Sequence, residues 1–275
     1  MPPLHIAALG SSFASGTGIL PETPPARRSY YNYPSLISRS LSAKLSDFSS
    51  SGATLLNVLN EPQDYATGES APPQLEVLSG VEGVEGIDVV LLTAGGNDVG
   101  MSKAMIGDAA KVVLKGDEDF LKMFLEMLGL APGGEDAKVD FTEVERRFVT
   151  IIDRIHMLCP KARILLVEYI SIFGPQTKIA DDQPLDAEQV QRYREMAGDL
   201  AGAYARAAEQ RREFVEVVGM KQVSDGHALG GEEPWVTGCT EKMVKSGGVP
   251  YHPIAAGHVG VAKAVEERIT KVLEL

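Results

Sequence analysis

The apolar positions along the chain follow two patterns. Runs rich in apolar residues occur in "LHIAAL" (4–9), "IDVVLL" (87–92), "ARILLVEYI" (162–170) and "EFVEVV" (213–218), of which "IDVVLL" is the clearest. Runs of this length suit strands covered on both faces, as in a parallel sheet between helix layers. Elsewhere the apolar residues recur at helical spacing. One stripe holds Tyr33, Leu36, Ile37, Leu41 and Leu45. A longer one holds Val190, Tyr193, Met196, Ala197, Leu200, Ala203, Tyr204 and Ala207, and "AAGHVGVAKAVEERITKVLEL" closes the chain as a helix. A further short strand is predicted near Asp47–Ser50. "EPQDYATGESAPP" is rich in breakers and reads as a surface loop.

Strands alternating with helices predict an α/β domain, a three-layer α/β/α sandwich with a parallel sheet of about five strands and right-handed crossovers. One such domain accounts for residues 1–275. The stretch from Met101 to about residue 155 is longer than one crossover helix requires. It contains "KAMIGDAAKVVL", "DFLKMFLEMLGL" and a Gly/Glu loop, "APGGEDAK", and is predicted to be a helical insertion over one end of the sheet. Ligands of open parallel sheets lie at the carboxyl ends of strands. Two polar loops fall there: "GSSFASGTG" after the first strand, and "GGND", Gly95–Asp98.

Composition narrows the partners. The net charge of −12 argues against a nucleic-acid backbone or an anionic membrane surface. No stretch approaches the ~18 apolar residues of a membrane span. The N-terminus has no basic region followed by an apolar one, so the chain as given reads as cytoplasmic, with secretion the alternative if the N-terminus is a processed one. Cys159 and Cys239 form no CxxC and belong to no His-rich cluster, which disfavours zinc; they read as buried, reduced thiols.

The first loop admits two chemistries. A Walker A loop needs GxxxxGK[ST], and here no Lys follows Gly16; a dinucleotide fingerprint needs GxGxxG, and "GTGILP" puts Pro21 at the third glycine. An unfamiliar phosphate loop is the remaining form of that reading. The other chemistry is nucleophilic: a serine hydroxyl attacks once a base takes its proton. Of five histidines, His5 lies in a strand, His156 on an apolar helix face and His258 inside the last helix. His252, in "YHPIAAGH", sits on a loop before that helix, where a side chain is free to reach across. Acyl transfer also needs donors for an oxyanion. The candidates are the N–H of Ser12, the N–H of Gly52 in "SSSGAT", and the side-chain amide of Asn97.

Ser12, Gly52, Asn97 and His252 stand in the order of the four blocks of the SGNH (GDSL-type) hydrolases, and the chain resembles the bacterial-type secreted lipase and esterase branch of that family. "GSSFASG" matches the GDSxxxG block, "SSGAT" the glycine block, "GGND" the GxND block and "VPYHPIAAGH" the DxxHPxxxGH block. "PPQL" and "HALGGEEPW" are also similar to that branch. The resemblance implies a flavodoxin-like sandwich without cofactor or metal, and a serine esterase or lipase acting on a lipid, a small acyl ester or an acetylated sugar. Its nucleophile is Ser12, its base His252, and its oxyanion hole Ser12, Gly52 and Asn97. Two positions depart from the pattern. Ser11 replaces the Asp of the first block. Val249 replaces the triad acid, so the backbone carbonyl of Val249 or a neighbour is expected to orient His252, with Asp225 in reserve and Asp98 bracing its own loop. These departures keep alive an alternative, a non-catalytic carbohydrate- or acyl-binding protein on the same fold. Met101, Met105, Met123 and Met127 are expected to pack the insertion onto the sheet, the second reading being an acyl pocket.

Overall fold

The computed structural model describes residues 3–128, 130 and 139–275. The predicted "APGGEDAK" loop, 131–138, lies outside the described residues, as does Gly129.

Five strands form the main sheet: β1 (His5–Gly10), β2 (Lys44–Asp47), β3 (Val89–Thr93), β4 (Arg163–Val167) and β5 (Val215–Val218). All pair in parallel, in the order β2-β1-β3-β4-β5. This is the flavodoxin-like order. The three central strands are covered on both faces, and every residue of β1 and β3 is buried. The edges are short and carry charge, Lys44 and Asp47 on β2 and Glu216 on β5, which discourages pairing with another chain.

Among the described residues eleven α-helices accompany the sheet. α1 (Ser12–Ser15), α2 (Tyr33–Ser40), α3 (Leu55–Leu59) and α4 (Gln74–Ser79) precede β3; α5 (Met101–Val113), α6 (Glu118–Met127) and α7 (Phe141–Leu158) separate β3 from β4. α8 (Ala187–Glu209) leads to β5, and α9 (Lys221–Ser224), α10 (Glu241–Lys245) and α11 (Ala255–Leu273) end the chain. The step from β1 to β2 runs opposite to the later steps across the sheet. Right-handed crossovers therefore put α2 on one face and α3, α7 and α8 on the other. The packing agrees: α2 rests on α11, while α7 rests on α8 and α3. The reversal also leaves a crevice between the carboxyl ends of β1 and β3.

Several sequence expectations shift. The first strand starts one residue later, at His5, and runs to Gly10. The second occupies Lys44–Asp47 rather than Asp47–Ser50. α2 stops at Ser40, the chain turns through Ser42 at φ 50°, and Leu45 becomes a strand residue. Of the predicted 101–155 insertion, α7 is the layer helix of the β3–β4 crossover, amphipathic and bearing the buried Phe148, Ile151, Ile152 and Ile155. Among the described residues α5 and α6 are additional to that layer. Met101 and Met105 are buried as packing predicts, but Met123 and Met127 are 55% and 71% exposed and fit neither reading. The "EPQDYATGESAPP" loop contains a small antiparallel ladder, Gln63–Asp64 with Ser70–Ala71.

Both strands flanking the crevice end in a side-chain clamp. Gly10 donates its N–H to Gln74 Oε1 at 2.8 Å and accepts from Gln74 Nε2 at 3.0 Å. Ala94 does the same with the Tyr204 hydroxyl, at 3.0 and 2.6 Å. Buried backbone groups need partners, and here single side chains supply both. Gln74→Ala is expected to destabilise the fold by about 1–3 kcal/mol, because the Gly10 N–H is left buried without an acceptor. A urea-unfolding midpoint equal to that of the wild type would refute the clamp.

Candidate active site

The loop that carries Ser12 begins where β1 ends. Gly10 has φ 135°, and a Cβ there would stand 2.1 Å from Thr93 O, so only glycine lets β1 and β3 finish side by side. Ser11 N then donates to Thr93 O at 2.9 Å, and α1 starts at Ser12. Ser12 Oγ lies 2.9 Å from His252 Nε2, across 240 residues of chain. Both residues are nearly enclosed, at 6% and 7% exposure.

His252 is held on its other side by a carbonyl. Its Nδ1 is 2.8 Å from Pro250 O, which fixes Nδ1 as the protonated nitrogen and leaves Nε2 to accept from Ser12. This corrects the expected orienting groups: the partner is the neighbour Pro250, not Val249. Val249 O accepts instead from Thr237 Oγ1 at 2.8 Å, and that hydroxyl also accepts from His252 N–H at 3.1 Å. Asp225 is engaged with Ser171 Oγ at 2.5 Å and Lys221 Nζ at 3.4 Å. The intervening Tyr251 has φ 58°, a conformation that a bulky side chain adopts only when its surroundings compel it. Its ring is buried edge-on against Phe173, and its N–H donates to Thr237 O at 3.1 Å. The strained residue turns Pro250 O back beneath the imidazole.

Burial lowers the His252 pKa to about 4; the bond to Pro250 opposes the shift and the positive charge of Arg27 adds to it. The imidazole is therefore neutral, and able to take a proton, above about pH 4.

The three expected oxyanion donors stand on three loops. Gly52, at φ 82°, has no side chain over its amide. Among the described residues no protein acceptor takes the N–H of Ser12 or of Gly52. Asn97 Nδ2 donates one hydrogen to Ala53 O at 2.9 Å, leaving the other for a ligand. Asp98 braces its loop: it accepts from Leu55 N–H at 2.8 Å and pairs with Arg147 Nη1 at 3.1 Å. Ser11 is 2.9 Å from the Tyr169 hydroxyl, which also accepts from Gly96 N–H at 3.1 Å. Burial raises the Tyr169 pKa to about 12, so the phenol stays protonated. One phenol thus ties the Ser12 loop to the Gly95–Asp98 loop, and no local sequence signal marks it.

The other histidines serve structure. His5 Nε2 is 2.9 Å from Ser46 Oγ, His156 stacks on Phe214 at 3.8 Å, and buried His258 accepts from Tyr33 N–H at 3.0 Å. His227 stacks on Trp235 at 4.1 Å. Cys159 and Cys239 are free and buried, and burial raises their pKa values to about 11 and about 12. Among the described residues no cluster of His, Cys, Asp and Glu is placed to hold a metal, and no helix is long and apolar enough to cross a membrane.

Chemically, the assembly is a hydroxyl hydrogen-bonded to a neutral base, with N–H groups of Ser12, Gly52 and Asn97 that, among the described residues, no protein acceptor fully uses. That combination suits addition to a carbonyl and stabilisation of the resulting oxyanion. Residues 8–259 match the model of the GDSL-like Lipase/Acylhydrolase family. Lipase 2 of Streptomyces coelicolor is 28% identical over 274 residues, covering 95% of this chain and 84% of that protein. Two solved structures share the fold. Phospholipase A1 from Streptomyces albidoflavus superposes with a TM-score of 0.68 at 19% identity, over 96% of this chain and 99% of that one. An extracellular lipase from Streptomyces rimosus does so with a TM-score of 0.62 at 19% identity, over the same shares.

Proposed function

The chain belongs to the GDSL-like lipase/acylhydrolase family and is a carboxylic ester hydrolase, and we propose that it works through an acyl-enzyme on Ser12. The 2.9 Å bond between Ser12 Oγ and His252 Nε2 carries this reading. Ser12 Oγ attacks the ester carbonyl while His252 Nε2 takes its proton. The N–H groups of Ser12 and Gly52 and the Asn97 amide bind the oxyanion. The imidazolium, held through Nδ1–H by Pro250 O, protonates the leaving alcohol. Water then enters, loses a proton to His252 and releases the acid, restoring Ser12. A dipole in place of a carboxylate orients the ring without adding a second charge to a dry site. Lipids and small acyl esters are the substrates this reading favours, in keeping with its lipase relative.

The test is labelling with a fluorophosphonate followed by peptide mapping. The phosphonyl group is expected on Ser12 alone. An unlabelled chain, with the site intact, would instead support the non-catalytic acyl- or carbohydrate-binding reading.

The pH profile tests the base separately. The neutral imidazole is the active form, and its lowered pKa extends that form downward in pH. The kcat/KM for an uncharged ester is expected to be flat from neutrality to about pH 5 and to fall tenfold per unit below about pH 4. An acid limb centred at the ordinary histidine value would refute the buried, carbonyl-held imidazole.

A further inference from the structure

A second cavity of about 320 Å³ opens over the carboxyl ends of β4 and β5, between α5 and α8. It touches none of Ser12, Gly52, Asn97 or His252, yet Tyr169 forms part of its wall. The Tyr169 ring lies 4.6 Å from Phe13, and Phe13 lies 5.3 Å from His252. Two aromatic rings therefore stand between the cavity and the imidazole.

The larger part of the lining is apolar. Met101, Met105, Ile170, Ile172, Phe173 and Leu200 supply hydrocarbon and ring surface. Three tyrosines line it as well, but their hydroxyls are used elsewhere: Tyr169 by Ser11 and Gly96, Tyr193 by Asp108, Tyr204 by Ala94. They present ring carbon to the space. The charged groups on its wall are Glu168, Glu195, Asp225, Arg194 and Lys221. Asp225 is met by Lys221 and Ser171, Glu195 by Gln191, and Glu168 accepts from Met220 N–H. Two cations against three carboxylates give an anionic headgroup no net attraction. A pocket of this size and character selects for an uncharged chain.

We propose that this cavity binds an uncharged hydrocarbon chain of a lipid, beside the reacting carbonyl rather than at it. The chain is either that of the ester substrate or that of a separate neutral lipid. The first source rests on the ester-hydrolase reading; the binding itself does not.

Gly198 on α8 offers the test. It lines the cavity, and a Cβ there meets nothing within 4 Å. Gly198→Leu occupies the space and removes a glycine from a helix interior, so thermal stability is expected to hold or rise. Ala201→Phe fills it from the next turn. The probe is phenylnaphthylamine, an uncharged fluorophore, displaced by decanol. The wild type is expected to bind it, and both variants to lose at least about tenfold in decanol affinity at unchanged unfolding temperature. Absence of probe binding to the wild type, or equal decanol affinity in folded variants, overturns the proposal. p-Nitrophenyl acetate and decanoate separate the sources. A substrate chain makes kcat/KM rise with length in the wild type and not in Gly198→Leu; a separate lipid leaves the two profiles the same. Acetate turnover lost in Ser12→Ala reports on the hydrolase reading independently.

Discussion

Ser12→Ala is expected to lower kcat/KM for a p-nitrophenyl ester by roughly 10⁴- to 10⁶-fold with no change in the unfolding midpoint. The residue is small, the hydroxyl makes its hydrogen bond to His252 alone among side chains, and alanine suits the first turn of α1. The loss is therefore one of chemistry. His252→Ala is expected to cost a comparable factor, since an alkoxide cannot form without an acceptor for the proton. The double variant is expected to be no slower than either single one, because the two groups act as a unit. Multiplying losses would mean that Ser12 and His252 work independently, and the 2.9 Å bond would lose its mechanistic meaning. Turnover surviving in Ser12→Ala, traced to this site, would remove the acyl-enzyme.

Asn97→Ala comes second. One oxyanion donor is worth about 3–4 kcal/mol in the transition state, so kcat is expected to fall roughly 10²- to 10³-fold with KM little changed. The side chain also donates to Ala53 O, and its removal slackens the contact between the Gly95–Asp98 and Ser50–Thr54 loops. The two effects separate in the kinetics. A lost oxyanion donor lowers kcat and kcat/KM together, whereas a slack loop raises KM as well. Unchanged turnover would leave Asn97 a loop brace like Asp98, which is fixed by Leu55 N–H and Arg147.

The legible parts of this molecule are those where chemistry and position coincide in one stretch of chain. The central strands are fully covered, and their unbroken apolar runs say so. The edge strand β2 is not: "KLSD" is half polar, and Leu45 fits a helical stripe as well as a strand. α7 was hidden inside a long segment because periodicity marks a helix without saying which layer it joins. In the candidate site, the sequence singles out Ser12, Gly52, Asn97 and His252 because each proposed role needs its own residue type in its own loop, and the structure joins Ser12 to His252. Gln74 and Tyr169 could not. They reach their partners across 64 and 158 residues, and nothing beside them in sequence records the bond. The Pro250 carbonyl is further from view still, since every residue has a carbonyl and only the φ 58° turn at Tyr251 gives this one its direction.

That backbone oxygen has a consequence for how the protein tolerates change. No codon removes it, so a saturation scan of all side chains passes over the group that holds the His252 ring. Its importance surfaces at one remove, at Tyr251, whose unusual backbone aims the dipole, and at Thr237, whose hydroxyl gathers Val249 and His252 around it. Substitutions there tilt the ring instead of deleting a partner. Substitutions at Tyr251 or Thr237 are therefore expected to lower turnover by degrees, where loss of a charged side-chain partner would lower it in one step.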